Sequence, residues 1–275
     1  MCVPGCMDVV HHKLTRRGFF RQASLAAAGA SALASVPGVA RAEQIRFASV
    51  LDLTHTLTPE FPTFFGKPGI ELEPLAELSK DGYNMNAWRL VEHSGTHLDA
   101  PIHFSEAGKS VGEIEAATLV APLAVVDVAA KAEQNPDYLL SRADLAAWEA
   151  KNGTLPNGCC VAMHSGWGRL ATADPARFIG RDVNGTMHFP GVGPDAAEWL
   201  LKERQVTGLA VDTLSLDNGP SADFKTHYLW LPSGRWGLEN VANLDRVPAV
   251  GAMLVVGLPK VKDATGAPVR LFALT

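Results

Sequence analysis

Residues 93 to 104 read HSGTHLDAPIHF, so His93, His97, Asp99 and His103 fall within eleven consecutive positions. Imidazole nitrogens and carboxylate oxygens together suit a divalent cation. Three protein ligands that leave a position open describe a catalytic site rather than a structural one. Backbone geometry limits how these side chains can meet. In a helix His93 and His97 would share a face, but Asp99 would point away from His97, and Gly95 and Pro101 both oppose a helix there. In an extended chain all four lie on one side, yet at roughly 3.3 Å per residue His93 and Asp99 would be about 20 Å apart. Ligand bonds of about 2.1 Å do not span that gap. The spacing therefore predicts a segment that starts extended and folds back on itself, bending at Gly95 and Pro101. Three histidines and an aspartate in so short a stretch favour a metal site, with one histidine spare, over unrelated hydrogen-bonding histidines.

The elements that would carry this segment are readable from periodicity. Short apolar, β-branched runs recur at 122–128 (PLAVVDV), 159–165 (CCVAMHS), 208–216 (GLAVDTLSL), 252–261 (AMLVVGLPKV) and 269–275 (VRLFALT), and predict mostly buried strands. Helical patterns lie between them, one starting after Ser141 as N-cap and one at Pro194. Strands interleaved with helices indicate an α/β domain. Polar clusters follow two of the strands, His164-Ser165-Gly166-Trp167 and Asp212 to Asp217, where sites in α/β folds gather. Taken singly, Asp212, Ser215 and Asp217 read as residues satisfying backbone groups in a turn. His227 and Glu239 flank a turn at Pro232-Ser233-Gly234 that can bring them together. Chemistry alone leaves their part open, since Glu239 equally suits a helix start.

The first 42 residues predict export. Thr15 to Phe20 read TRRGFF, a twin-arginine signature, followed by an alanine-rich run and a small-residue site at Ala40-Arg41-Ala42. The run is too short and too weakly apolar for a membrane span, which needs about 20 strongly apolar residues. Cleavage after Ala42 would leave residues 43–275 as one domain, with no membrane span, in the periplasm or outside the cell. Five of the 24 basic residues but one of the 29 acidic residues lie in those first 42, so the remainder carries a net of −9. An acidic chain without basic runs excludes nucleic acid as a partner. Two of the four cysteines go with the signal, and the adjacent pair Cys159 and Cys160 reads as small core residues on a strand.

HSGTHLDAPIHF resembles the HxGTHxDxPxHF signature of the metal-dependent cyclase family, which includes bacterial kynurenine formamidases and isatin hydrolase-like enzymes. Asp52-Leu53-Thr54-His55 resembles the family's DLTH opening, GLAVDTLSLD its GxDTxSxD strand, and His227 with Glu239 its His and Glu twelve residues apart. The resemblance implies an α/β, swivelling ββα domain of the cyclase type, forming homodimers or homotetramers. It implies that His93, His97 and Asp99 bind a first metal, that Asp99 bridges to a second held by His227 and Glu239, and that His103 is the acid/base. Mixed histidine and carboxylate ligation suits zinc or manganese, as one ion or two.

These parts predict a metal-dependent hydrolase that opens a carbon–nitrogen amide bond in a small aryl formamide or cyclic amide. His103 would take a proton from the attacking water and return it to the leaving nitrogen. Phe64, Phe65, Trp88 and Trp167 are candidate aromatic neighbours but read as core, as do His55 and His164. Gly168 stands where relatives often place an acid, so one contact to the substrate, or to a residue behind the site, is expected to be absent. Export argues against a role in cytoplasmic tryptophan breakdown. The competing reading is a non-catalytic periplasmic metal-binding or carrier protein, which has no need of His103.

Overall fold

The computed structural model describes residues 47–275, so the twin-arginine segment and the expected cleavage site lie outside the described residues. The chain lays down β1 (Val50–Asp52), a hairpin of β2 (Ile70–Ala76) and β3 (Met85–Leu90), and β4 (His97–Asp99). Then come β5 (Val120–Asp127), β6 (Leu139–Leu140), β7 (Cys159–His164), β8 (Gly191–Val192) and β9 (Val206–Val211). Last are β10 (Trp236–Glu239), β11 (Ala252–Gly257), β12 (Gly266–Pro268) and β13 (Arg270–Leu274). Helices Arg142–Asn152 and Pro194–Glu203 lie between strands, each starting where its N-terminal signal placed it.

Nine strands form one sheet in the order β1-β13-β11-β5-β7-β9-β10-β4-β12. β5, β7, β9 and β10 run parallel in the middle, and antiparallel strands flank them on both sides. Val269 alone separates β12 from β13, although these strands pair near opposite edges of the sheet. The sheet must therefore curl until its edges meet, and Val269 N donates to Thr96 O (3.0 Å) at that junction. Side chains alternate between the two faces. Leu123, Val125, Cys160, Ala162 and Ala210 join one core with Leu98, Leu238, Leu254 and Leu271. Ala124, Val126, Cys159, Val161, Met163 and Leu209 face the helices through Leu145, Trp148, Leu200 and Trp230. Cys159 and Cys160 consequently point to opposite faces and remain free thiols, and burial pushes Cys159 up to about 11.

Two of the expected strands end well short of their apolar runs. β9 stops at Val211, where Asp212 turns back to accept the backbone amides of Ser165 and Trp167 (both 3.1 Å). β11 stops at Gly257, shortly before Pro259, which has no amide hydrogen for the ladder. The β2–β3 hairpin pairs outside the large sheet and had no counterpart among the expected strands.

The helix that starts at Arg142 is anchored by a capping box. Ser141 Oγ accepts from Asp144 N, and Asp144 Oδ2 accepts from Ser141 N (2.8 Å). Asp144 also takes the Tyr138 hydroxyl (2.8 Å) and the Lys131 ammonium. Burial raises the Asp144 carboxyl, but Lys131 and Ser141 outweigh it and hold the group at about 2. Its ionised form therefore stabilises the fold fully above the unfolded value of 3.8, and that contribution is lost as pH falls towards 2. We expect Asp144→Asn to lower unfolding free energy by about 1 to 2 kcal/mol at pH 7 in urea melts. The difference from wild type should shrink between pH 4 and pH 2; a constant difference would assign the loss to packing.

Candidate metal centre

The segment from His93 to Phe104 is extended in its middle rather than at its start. Gly95 adopts φ +62°, a left-handed conformation open to glycine, and turns the chain from His93 into β4. β4 then runs straight through His97 and Asp99, and Pro101–His103 form a single 3-10 turn that folds the chain back. Two residues apart on one strand, His97 and Asp99 project to the same side. Antiparallel pairing sets Glu239 of β10 directly across from His97. Glu239 is thus a strand residue, not a helix start. Glycines stand opposite Asp99 on both sides, Gly237 and Gly266. A Cβ on Gly266 would lie 2.4 Å from His93 Cε1, so the glycine makes room for that ring.

His227 arrives from the helix Lys225–Trp230, and the turn at Leu231–Gly234 leads back into β10 as the Pro-Ser-Gly sequence suggested. His93 Nδ1 is 2.6 Å from Asp99 Oδ1. His97 Nε2 lies 3.4 Å from Asp99 Oδ1 and 3.3 Å from Glu239 Oε2. His227 Nε2 lies 3.5 Å from Asp99 Oδ2 and 3.2 Å from Glu239 Oε1. All five expected ligands therefore converge. His93, His97, His227 and Glu239 line a cavity of about 330 Å³, and Asp99, 1% exposed, sits behind them.

The chemistry of this donor set fits a divalent cation. His97 Nδ1 donates to Gly95 O (2.9 Å) and His227 Nδ1 faces Asp217 Oδ2 (2.6 Å), so each ring turns Nε2 towards the two carboxylates. His97 Nε2 and Asp99 Oδ2 are buried without a hydrogen-bond partner, a costly arrangement that a cation between them relieves. His97, Asp99 and Glu239 offer ligand atoms close enough to share one ion, and His93, Asp99 and His103 form a second such group. Burial opposes a charged imidazole at His97, yet Asp99 and Glu239 outweigh it and raise the ring to about 10. His227 is likewise held well above its usual range, burial notwithstanding, by Asp217, Asp99 and Glu239. The same contacts hold Asp99 well below the carboxylate range despite its burial. The cluster demands positive charge, and a metal ion competes for the place these protons hold.

His103 stands apart electrostatically. Its ring stacks on His93 with centroids 3.9 Å apart and 23° between planes, and burial lowers it to about 4, which leaves it neutral near pH 7. Phe64, Phe65, Phe104 and Phe224 supply the apolar wall of the cavity. Phe224 holds φ +47°, a strained conformation for a large side chain that turns the chain into the His227 helix.

The remaining candidates divide clearly. Asp217 accepts the amides of Thr226 (2.8 Å) and His227 (3.1 Å) as well as the His227 ring. Its backbone role is the expected one, and its grip on the ring was legible in no spacing. Phe104 and Phe224 were missed because an aromatic residue beside a loop gives the same signal as a core residue. Trp88 is 70% exposed on β3, and Trp167 packs in a buried cluster with Phe61 and Phe178. His55 is half-buried with its ring centroid 5.5 Å from that of Phe61, and His164 lies 3.3 Å from Asp127; neither lines the cavity. Gly168 sits against Asp212 and Val241, away from the cavity, so an acid missing there removes no contact within it.

Known proteins resemble this chain over most of its length. Residues 51–218 match the family described as putative cyclase. The isatin hydrolase of Roseibium aggregatum is 35% identical over 243 residues, 82% of this chain and 91% of that protein. The kynurenine formamidase of Salinibacter ruber is 25% identical over 225 residues, 81% of this chain and 95% of that protein. Among solved structures, isatin hydrolase A from Labrenzia aggregata superposes with a TM-score of 0.77 at 33% identity, covering 82% of this chain and 93% of that one. With a match from β1 to Asn218 and relatives aligned over most of their length, the chain belongs to the cyclase family of metal-dependent hydrolases.

Proposed function

We propose that this metal-dependent amide hydrolase opens the ring amide of a small bicyclic aryl lactam of the isatin type. One observation carries the reading. A buried histidine–carboxylate cluster faces an aromatic-walled cavity in which a neutral histidine, His103, lies against the cluster. The 35% identity to an isatin hydrolase, against 25% to a formamidase, supports a ring amide over an open N-formyl group.

His93, His97 and Asp99 would hold one divalent ion, and His227 and Glu239, with Asp99 as bridge, a second. Zinc and manganese both suit such a donor set. A bound divalent ion supplies Lewis acidity, drawing the pKa of water from 15.7 towards about 7 and polarising a carbonyl. The phenylalanine wall would hold the aryl ring flat and keep bulk water from the reacting carbonyl. His103, neutral near pH 7, would accept a proton from the attacking water. The water oxygen bonds to the carbonyl carbon, the carbon–nitrogen bond breaks, and His103 returns its proton to the departing nitrogen. A carboxylate and an arylamine result.

Residues 1–42 would act as a twin-arginine signal, placing the mature protein in the periplasm or outside the cell; the motif supports this reading. A homodimer or homotetramer is the accompanying proposal. Leu72 and Trp88, paired across the hairpin and both exposed, are the kind of apolar surface that association covers.

Stripping the protein with a chelator should abolish isatin hydrolysis, followed by absorbance, and zinc or manganese should restore it. Undiminished turnover in the stripped protein would end the metal reading. His103→Ala should lower kcat by about 10² to 10⁴-fold while metal affinity stays near wild type. Tight metal binding with no turnover of isatin, formanilide or N-formylkynurenine by the wild type would favour the carrier instead.

A further inference from the structure

His93 differs from the other two imidazoles of the cluster in the nitrogen it offers. His97 and His227 use Nδ1 to reach Gly95 O and Asp217, and present Nε2. His93 does the reverse: Nδ1 faces Asp99 at 2.6 Å, and Nε2 turns away to Thr265 Oγ1 at 2.9 Å. The Thr265 hydroxyl has one proton, and that proton goes to Glu92 Oε2 at 2.6 Å. Its oxygen can then only accept from His93, so His93 Nε2 must carry a hydrogen. The Thr265 amide donates to the same Glu92 oxygen (3.1 Å), so both donors of Thr265 converge on one carboxylate atom.

The backbone reinforces the arrangement. Glu92 directly precedes His93, and Thr265 directly precedes Gly266, the residue that gives the His93 ring its space. The Thr265 carbonyl accepts from Ala100 N (2.9 Å), tying this strand to the chain just past Asp99. The ring of His93 is thus held from three sides, by Asp99, by Thr265 and by His103 stacked on its face.

We propose that Thr265 and Glu92 are positioning residues that lock His93 in the Nε2–H tautomer, so that His93 binds metal through Nδ1 while His97 and His227 bind through Nε2. The proposal rests on the reading of His93 as a metal ligand. Residues that orient a ligating histidine from behind typically contribute 10- to 100-fold in metal affinity.

The test uses zinc, which is diamagnetic, and competition with a chromophoric chelator on otherwise unaltered protein. His93→Ala should weaken zinc binding strongly. Thr265→Val, which keeps the shape but removes the hydroxyl, should weaken it by about 10- to 100-fold, while Thr265→Ser should stay within about threefold of wild type. Nitrogen-15 NMR of zinc-loaded wild type should show His93 protonated at Nε2 and bare at Nδ1. If His93→Ala binds zinc weakly and Thr265→Val binds it like wild type, the clamp is wrong and the ligand reading stands. If His93→Ala binds zinc like wild type, the ligand reading falls and the clamp with it. A proton on Nδ1 of zinc-bound His93 overturns the tautomer assignment whatever the variants do.

Discussion

Burying the Asp99 carboxylate is the constraint on which the rest of this site depends. A lone ionised carboxyl with 1% of its surface exposed costs several kcal/mol unless positive charge and hydrogen bonds surround it. Here three imidazoles surround it, His93 from the loop before β4 at 2.6 Å, His97 from β4 at 3.4 Å and His227 from its helix at 3.5 Å. The architecture follows from bringing them there. β4 is paired on both sides, which fixes the backbone at Asp99 between two neighbouring strands. Gly266 yields the space the His93 ring needs, Gly237 across from Asp99 leaves room for Leu216, and the curl of the sheet closes beside them at Val269.

The same constraint separates the chemical roles. Rings that touch Asp99 and Glu239 hold positive charge tightly, as the rise of His97 to about 10 records. His103 lies one ring further out, where burial outweighs attraction and lowers it to about 4. A site with cation-seeking groups on its floor and a histidine of lowered basicity beside them suits the hydrolysis proposed for it. Storage would require the floor alone.

Much of this was legible because it is local. His93, His97, Asp99 and His103 declare themselves by proximity, and their spacing alone requires a bend. β5, β7, β9, β11 and β13 announced themselves as β-branched runs, and the two principal helices by Ser141 and Pro194, whereas central β10 carried no such run. What failed to show was non-local. The register that sets Glu239 opposite His97 comes from pairing across 142 residues of sequence, and residue types alone left Glu239 equally suited to a helix start. Only resemblance assigned it with His227. Thr265, 172 residues beyond His93, carried no signal at all, since a threonine before a glycine is ordinary in any loop. Phe104 and Phe224 were hidden for the opposite reason, because pocket and core draw on the same residue types, while Phe64 and Phe65 stood among the candidates.

The most direct measurement is anomalous diffraction from a crystal of the zinc-loaded protein. We predict a strong peak among His93 Nδ1, His97 Nε2 and Asp99, within about 2.0 to 2.3 Å of nitrogen and oxygen ligands, with any second ion among Asp99, His227 Nε2 and Glu239. A peak confined to residues outside this cluster, or an ordered crystal from active protein with no metal beside Asp99, would contradict it.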